Sequence, residues 1–392
     1  MATTDPDFPT PEYLARLERT RAEMEKRGLD LLVCVDPSNM HWLTGYDGWS
    51  FYVHQAVILG MEGEPVWWGR AMDALGAMRT VFMSDEAIAG YDDSYVQNPE
   101  KHPMSILGQL IEGRFPNARR IGVELDNYYY SAAAHAALQE ALPNCRFFDQ
   151  VGLVNWQRTC KSPEEMVYIR RAARIVEAMH QRIVEVAEPG MPKNMLVAEI
   201  FKQGIAGADG EWGDYPAIMP MAPSGMDATA PHLTWDGTPL TSGVPTFFEI
   251  AGVHRRYHAP QARTLFLGEV PDKYLAAEEA VLEATEAALR MARPGNRAED
   301  VANAFNMTLN ARGFMKEGRV GYAVGLSYPP DWGERTISFR PGDQAILQPG
   351  MVFHFMPALW LDDGGIEITE PILITEDGVE CLCSTPAKLF VK

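Results

Sequence analysis

Four polar residues in the C-terminal half of the chain have side chains suited to acid–base and ion-pair chemistry. Glu249 lies inside the apolar segment PTFFEIAG, where an ionised carboxylate is costly unless it is paired or protonated. His232 and His354 lie near predicted strands, and Arg340 precedes a Pro-Gly turn that leads into the strand carrying His354. Histidine transfers protons near neutral pH, and arginine binds a carboxylate through two parallel hydrogen bonds. These residues are candidates for a catalytic site, although histidines and arginines in such positions are more often structural.

Aromatic residues are concentrated in two places. The segment WLTGYDGWSFY holds five aromatic rings, including Trp49, Phe51 and Tyr52, around two glycines, and Tyr328 and Trp332 form a smaller group. Such density usually belongs to a core or an interface. If the rings instead surround a pocket, they suit a flat or cationic ligand.

The first 157 residues contain both helix and strand patterns. Thr10, Pro11 and Glu12 predict a helix start, and the buried run LDLLVCV predicts the first strand. Further strands are predicted at 56–59, 64–68, 120–123 and 146–148, and further helices at 105–113 and 131–141. This pattern predicts an α/β domain over residues 1–157.

The sequence pattern changes after Cys160 and predicts a second domain over residues 158–392. Ser162 and Glu165 form a capping box at the start of a long helix. Further helices are predicted at 192–205, 272–292 and 297–312, and strands at 245–268, 345–347, 351–359 and 365–374. Helices and strands are therefore mixed in this domain.

Composition and charge exclude several classes of partner. The formal net charge of −19 disfavours nucleic acid and anionic membranes, because the long-range field repels both. The sequence has no uninterrupted apolar run of membrane-spanning length, and its start, MATTDPDFPT, has no export signal pattern. The five cysteines are scattered, as expected of free thiols in a reducing cytosol. We therefore expect a cytoplasmic protein.

Four motifs resemble the creatinase and prolidase family. They are LLVCVDPSNMHWLTGY in the first domain, KSPEEMVYIRRAARI at the junction, and ARTLFLG and LQPGMVFHFMPAL in the second domain. The resemblance implies an α/β N-terminal domain followed by an α+β pita-bread catalytic domain, in which a curved antiparallel sheet is backed by helices. It also implies a homodimer whose active site lies near the interface and borrows residues from the neighbouring N-terminal domain.

The metal ligands of the family are largely replaced in this sequence. Metallopeptidases of the family bind two metal ions through two aspartates, a histidine and two glutamates. By alignment of the motifs, these positions hold Glu249, Pro260, Tyr322, Met356 and Thr369. A two-metal site is therefore not expected, and we predict no metal and no other cofactor.

The proton-handling histidine of the family is retained as His232, seventeen residues before Glu249. A histidine and a carboxylate without metal are similar to the site of creatinase, and Arg340 matches a creatinase arginine that holds the substrate carboxylate. Creatinase keeps a glutamate where this chain has Met356, so the substrate cation must be held differently. The resemblance places Tyr322 and His354 among the residues that contact substrate.

The segment GYDDSYVQNPEKHPM resembles the ectoine hydrolases of bacterial ectoine catabolism. The implied substrate, ectoine, is a cyclic amidine with a carboxylate that is opened to N-acetyl-L-2,4-diaminobutyrate. In this reading Glu249 attacks C2 or activates water against it, and His232 protonates the leaving nitrogen. A creatinase-like enzyme acting on another small guanidino or amidine acid, and a metal-dependent peptidase or lyase of the same fold, remain the alternatives.

Overall fold

The computed structural model describes residues 6–392, which form two compact units that meet in sequence at Arg158 and Thr159. The first unit contains one six-stranded sheet. Its strands are β1 (Leu31–Cys34), β2 (Ala56–Gly60), β3 (Val66–Arg70), β4 (Ile88–Tyr91), β5 (Arg120–Val123) and β6 (Arg146–Asp149). They lie in the order β4-β3-β2-β1-β5-β6, with β2 antiparallel to both of its neighbours and the other pairs parallel.

Helices accompany this sheet. They are α1 (Thr10–Lys26), α2 (Pro37–Thr44), α3 (Ala74–Thr80), α4 (Met104–Arg114), α5 (Ala132–Ala141) and α6 (Asn155–Arg158). The Ser131 hydroxyl caps α5 by accepting a hydrogen bond from the Ala134 N–H at 3.1 Å. The central strand β1 is buried along its whole length, as its uninterrupted apolar sequence predicts.

The second unit has four long helices, α7 (Pro163–Val186), α8 (Lys193–Ala206), α9 (Asp272–Met291) and α10 (Ala298–Ala311). The capping box predicted at the start of α7 is present, because Ser162 and Glu165 exchange both hydrogen bonds. Helices α9 and α10 contribute alanine-rich faces to a hydrophobic core of this unit.

The strands of the second unit form three sheets. They are β7 (Pro245–His254), β8 (Tyr257–Phe266), β9 (Gly321–Val324), β10 (Gly333–Phe339), β11 (Val352–Phe355), β12 (Ala358–Leu361), β13 (Gly364–Glu367), β14 (Glu370–Ile374), β15 (Val379–Cys381) and β16 (Phe390–Val391). The sheet orders are β10-β9-β11-β14-β15, all antiparallel, then β16-β8-β7, and the two-stranded β12-β13.

Helix α7 lies directly on strand β7, and Gly252 makes this approach possible. A Cβ atom at Gly252 would lie 2.1 Å from the Ala172 carbonyl oxygen and 2.5 Å from the Val176 nitrogen, both in α7. Any side chain larger than hydrogen would push the helix away from the strand. The close contact fixes β7, which carries Glu249 three residues before this glycine.

Several predicted strands differ from the observed ones. Residues 345–347 form no strand, and only Ile346 makes an isolated bridge, with Arg297. The stretches 351–359 and 365–374, each predicted as a strand region, are both divided between two sheets. The first break falls at Pro357, which has no N–H for a ladder hydrogen bond. Strands β9 and β10 were not predicted, because short segments containing glycine have weak periodicity.

Among residues 6–392, no helix is long and apolar enough to cross a membrane.

Candidate active site

Glu249 lies in the middle of β7 with its side chain buried. Its backbone N–H and C=O pair with Met221, at 3.1 and 3.0 Å, and its neighbour across the hairpin is Ala262 in β8. The residue is 5% exposed, and burial raises its pKa from 4.5 to about 7 although Lys316 and Arg319 oppose the shift. A carboxylate held in this way costs free energy, which indicates a functional role.

His354 is the centre of a hydrogen-bonded chain beside Glu249. Trp332 Nε1 donates to the Tyr322 hydroxyl at 2.6 Å, and that hydroxyl lies 3.2 Å from Nδ1 of His354. His354 Nε2 lies 2.7 Å from Oγ1 of Thr369, which accepts a further bond from the Ala262 N–H at 2.6 Å. Burial, and then Arg319, lower the pKa of His354 to about 3, so the ring is neutral.

The donor set at the family's metal positions does not fit two metal ions. Tyr322 and Thr369 stand at two of these positions, and both hydroxyls are engaged with His354. Pro260 offers no side-chain ligand, and Met356 offers only a thioether, which hard divalent cations bind poorly. Within the described part of the chain, no group of three or more histidines, cysteines or acidic residues is arranged to hold a metal ion. We therefore derive no chemical step through a metal.

Two cations at this site were missed by the sequence reasoning. The guanidinium of Arg319 lies 4.0 Å from the centre of the Tyr322 ring, and its Nη1 donates to Ser338 Oγ at 3.4 Å. The ammonium of Lys316 lies 4.5 Å from the Trp360 ring centre. Burial lowers the pKa of Lys316 to about 8, while Glu367 and Glu249 oppose the shift. Both residues lie in the polar loop KEGR, whose sequence is also that of an ordinary surface turn.

A second buried carboxylate, Glu367, was also missed. It is 1% exposed, and burial, followed by the charge of Glu249, raises its pKa well above the ordinary value, with Lys316 opposing. The sequence GGIEITE has two glutamates three positions apart and does not reveal which one enters the site. The other, Glu370, pairs with Arg263 instead.

Met356 and Tyr328 are the other residues of the second unit that the sequence predicts to contact substrate, apart from His232 and Arg340. Met356 directly follows β11 and bonds Val320, so it lies beside the strand that carries Tyr322. Tyr328 is buried, with the guanidinium carbon of Arg256 5.8 Å from its ring centre. Tyr322, Trp332, His354 and Glu249 are thus brought together.

His232 and Arg340 are exposed. Arg340 follows the last residue of β10. His232 lies in the loop before β7, and this loop is tied to the site through backbone bonds: Ala222 N–H donates to Thr234 at 2.7 Å, and the preceding Met221 pairs with Glu249. The loop therefore runs beside the strand segment that flanks the buried carboxylate.

Trp49, Phe51 and Tyr52, which the sequence predicts to contact substrate, all lie in the first unit. The ring centres of Trp49 and Phe51 are 4.7 Å apart, and Phe51 meets Tyr129 edge to face at 5.7 Å. The Tyr52 hydroxyl accepts a hydrogen bond from Arg70 at 3.3 Å. Their contact with substrate stays a prediction.

Comparison with known protein families identifies both units. A model of the creatinase/prolidase N-terminal domain matches residues 16–160, and one of metallopeptidase family M24 matches residues 167–376. The chain belongs to metallopeptidase family M24. The family assignment confirms the fold expected from the sequence motifs, an α/β domain followed by a pita-bread domain.

This M24 chain has close and distant relatives. It is 56% identical to a protein from Halomonas elongata named ectoine hydrolase, over 98% of each chain. It is 25% identical to a creatinase from a Bacillus species, over 97% of this chain and 92% of the relative. A prolidase from Thermococcus sibiricus has the same fold, with a TM-score of 0.84 at 19% identity over 97% of this chain and 99% of that one.

Proposed function

We propose that this protein hydrolyses ectoine, opening its cyclic amidine to N-acetyl-L-2,4-diaminobutyrate. The observation that carries the proposal is the buried carboxylate of Glu249, which stands at a metal position of the family without the donors needed for two metals. The 56% identity to a protein named ectoine hydrolase supports the choice of substrate.

The chemistry of the substrate matches the charges of the site. Ectoine carries a planar amidinium and a carboxylate, so it needs an anionic partner, an aromatic surface and a cationic partner. Glu249, the Tyr322 and Trp332 rings, and Arg319 supply these types within the second unit. A charge pair at about 4 Å contributes about 4 kcal/mol at an effective dielectric of 20, which offsets much of the desolvation of both charges.

The reaction adds the elements of water across the C2–N bond. In one route Glu249 takes a proton from a water molecule that attacks C2; in the other the Glu249 carboxylate attacks C2 directly, and water then cleaves the bond between Glu249 and C2 and restores the free carboxylate. The C–N bond breaks after the leaving nitrogen gains a proton, which we assign to His232. The loop carrying His232 is bonded through Thr234 to Ala222, next to the Met221 that pairs with Glu249, which supports this assignment. The proton taken from water returns to the amine, so no net proton is exchanged.

The substrate carboxylate has two candidate partners. The sequence resemblance assigns this role to Arg340, which is exposed after β10. Arg319 is also exposed, but it lies against Tyr322 and close enough to influence the pKa of both Glu249 and His354. We favour Arg319 as the group that fixes the orientation of the bound ring.

The proposed enzyme is a metal-independent cytoplasmic homodimer with its active site near the interface, where Trp49, Phe51 and Tyr52 contact substrate. The described cysteines are all free thiols, which is compatible with a reducing compartment. Dimerisation and the origin of these rings follow from the family resemblance.

The test is to incubate the purified protein with ectoine and, separately, with creatine. Ectoine consumption with appearance of an acetylated diamino acid, and no conversion of creatine to sarcosine and urea, is the expected result. The reverse preference would establish the creatinase-like alternative. Assaying 5-hydroxyectoine in parallel defines the tolerance of the site for a ring hydroxyl.

A further inference from the structure

Glu367 has an unusual environment for a glutamate. Its side chain is buried, and neither carboxylate oxygen has a hydrogen-bond partner among residues 6–392. Buried carboxylates in folded proteins are almost always paired or hydrogen-bonded, because an unsatisfied charge is expensive. The second unit thus maintains a costly group that the proposed mechanism does not yet use.

The backbone of Glu367 is fixed over the face of the hairpin that carries Glu249. The Thr264 hydroxyl accepts from the Glu367 N–H at 2.8 Å and donates to the Glu367 carbonyl oxygen at 3.2 Å. Thr264 pairs with Phe247, and Glu249 lies two residues further along β7, so the side chains of Thr264 and Glu249 share one face. Both carboxylates therefore lie on the same side of the hairpin.

The positive charge of Lys316 offsets only part of the negative charge of Glu249 and Glu367. Its ammonium influences the pKa of both Glu249 and Glu367, and it lies over the Trp360 ring instead of forming a close ion pair with either. Arg319 also acts on the pKa of Glu249, whereas among the described residues Lys316 is the cation whose charge acts on the pKa of Glu367. Glu367 is therefore the less compensated of the two acids, and its unpartnered oxygens can accept a hydrogen bond from a cationic ligand.

The geometry of a cyclic amidinium requires two kinds of partner. A nucleophile or an activated water must approach C2 from above the ring plane, whereas an acceptor for a ring N–H lies in that plane. Glu249 cannot occupy both positions during the reaction. The two ring N–H groups also point away from each other, on either side of the C2 methyl group, so one carboxylate cannot bind both.

We propose that Glu367 is the in-plane carboxylate that accepts a hydrogen bond from one ring N–H of the bound amidinium. The proposal rests on ectoine hydrolysis as the function of this site. By holding one nitrogen, Glu367 leaves the other to receive the proton and depart, so it also selects the bond that is broken.

The test compares E367Q, E367D and the matched control E370Q. A charge-assisted hydrogen bond to a buried carboxylate predicts that E367Q raises the KM for ectoine by about 10- to 100-fold. E367D, which keeps the charge on a shorter stem, should recover part of the loss. Glu370 is also a buried glutamate, but it accepts hydrogen bonds from Gln261 and Arg263, so E370Q should leave KM within about threefold.

Thermal unfolding separates a ligand-binding role from a structural one. E367Q should unfold close to the wild-type temperature, because the Glu367 side chain makes no hydrogen bond that the amide would lose, whereas E370Q should unfold at a lower temperature. Titration of ectoine into E249Q and E249Q/E367Q measures binding without turnover, and the second should bind at least 10-fold more weakly. Equal affinity of these two variants, or unchanged KM in E367Q, overturns the proposal. A wild type that does not act on ectoine overturns the proposed function instead.

Discussion

Nδ1 of His354 lies 3.9 Å from Oε1 of Glu249, and both side chains are buried. The distance is too long for a hydrogen bond, and burial keeps the pKa of His354 at about 3. His354 is therefore a neutral neighbour that is held by Tyr322 and Thr369, and it does not neutralise Glu249. This relationship leaves the carboxylate available to a substrate cation.

Replacement of Glu249 by glutamine should abolish turnover and stabilise the fold. Burial raises the pKa of Glu249 from 4.5 to about 7, so the contribution of this group to stability is most favourable below pH 4.5 and falls as the pH rises toward 7. E249Q removes this penalty, on the order of 2–3 kcal/mol at pH 7. Chemical unfolding of the wild type and of E249Q between pH 5 and 8 measures this difference in unfolding free energy. Near wild-type turnover in E249Q would exclude Glu249 as nucleophile or base.

The pH dependence of ectoine hydrolysis should follow the ionisation of the Glu249 carboxyl group. Glu249 acts in its ionised form, so kcat/KM should rise with pH and level off above about 7. Lys316 lowers the pKa of Glu249, so K316M should move the rise to higher pH. K273M removes an exposed lysine paired with Asp363 and serves as the control. An identical profile in K316M would show that Lys316 does not act on the catalytic carboxyl.

Removal of the His232 imidazole should slow turnover without destabilising the protein. General acid–base catalysis predicts a loss of about 100-fold or more in kcat for H232A. The residue is exposed, so the unfolding temperature should change little. Steady-state kinetics and thermal unfolding check both statements. Full activity in H232A would assign the proton transfer to another group.

Two arginine variants decide which residue binds the substrate carboxylate. R319M should raise the KM for ectoine by about 10-fold or more, because a bidentate contact is lost. R340M should have a smaller effect, because Arg319 and not Arg340 is among the charges that act on the pKa of Glu249 and His354. The two KM values, measured under one condition, provide the comparison. A larger effect in R340M would support the assignment made from the sequence motif.

Treatment with a metal chelator should leave ectoine hydrolysis unchanged. The hydroxyls of Tyr322 and Thr369 are engaged with His354 at two positions where metallopeptidases have ligands. Elemental analysis of the purified protein should find less than one equivalent of divalent transition metal. Two equivalents of tightly bound metal, with activity lost to a chelator and restored by metal, would contradict the assignment of the site.

Most of the fold could be predicted from local sequence. The capping box at Ser162 and Glu165, the buried run around Leu31 and the long alanine-rich helices are determined by residues close in sequence. The strand breaks around Pro357 and Ile368 could not be predicted in the same way. They depend on partners distant in sequence, since the Ile368 N–H donates to the Pro357 carbonyl and the Thr369 N–H to Ala262.

The sequence by itself determined that Glu249 is a costly acid in an apolar strand, because the cost of burying a charge follows from its neighbours in the strand. The resemblance of its motifs to the family also predicts which metal-ligand positions are replaced, since that prediction requires only residue types at matching positions. Only the tertiary structure decided that Lys316, Arg319 and Glu367 join the same cluster. Electrostatic interactions act through space, and segments separated by more than 100 residues can share one charge environment.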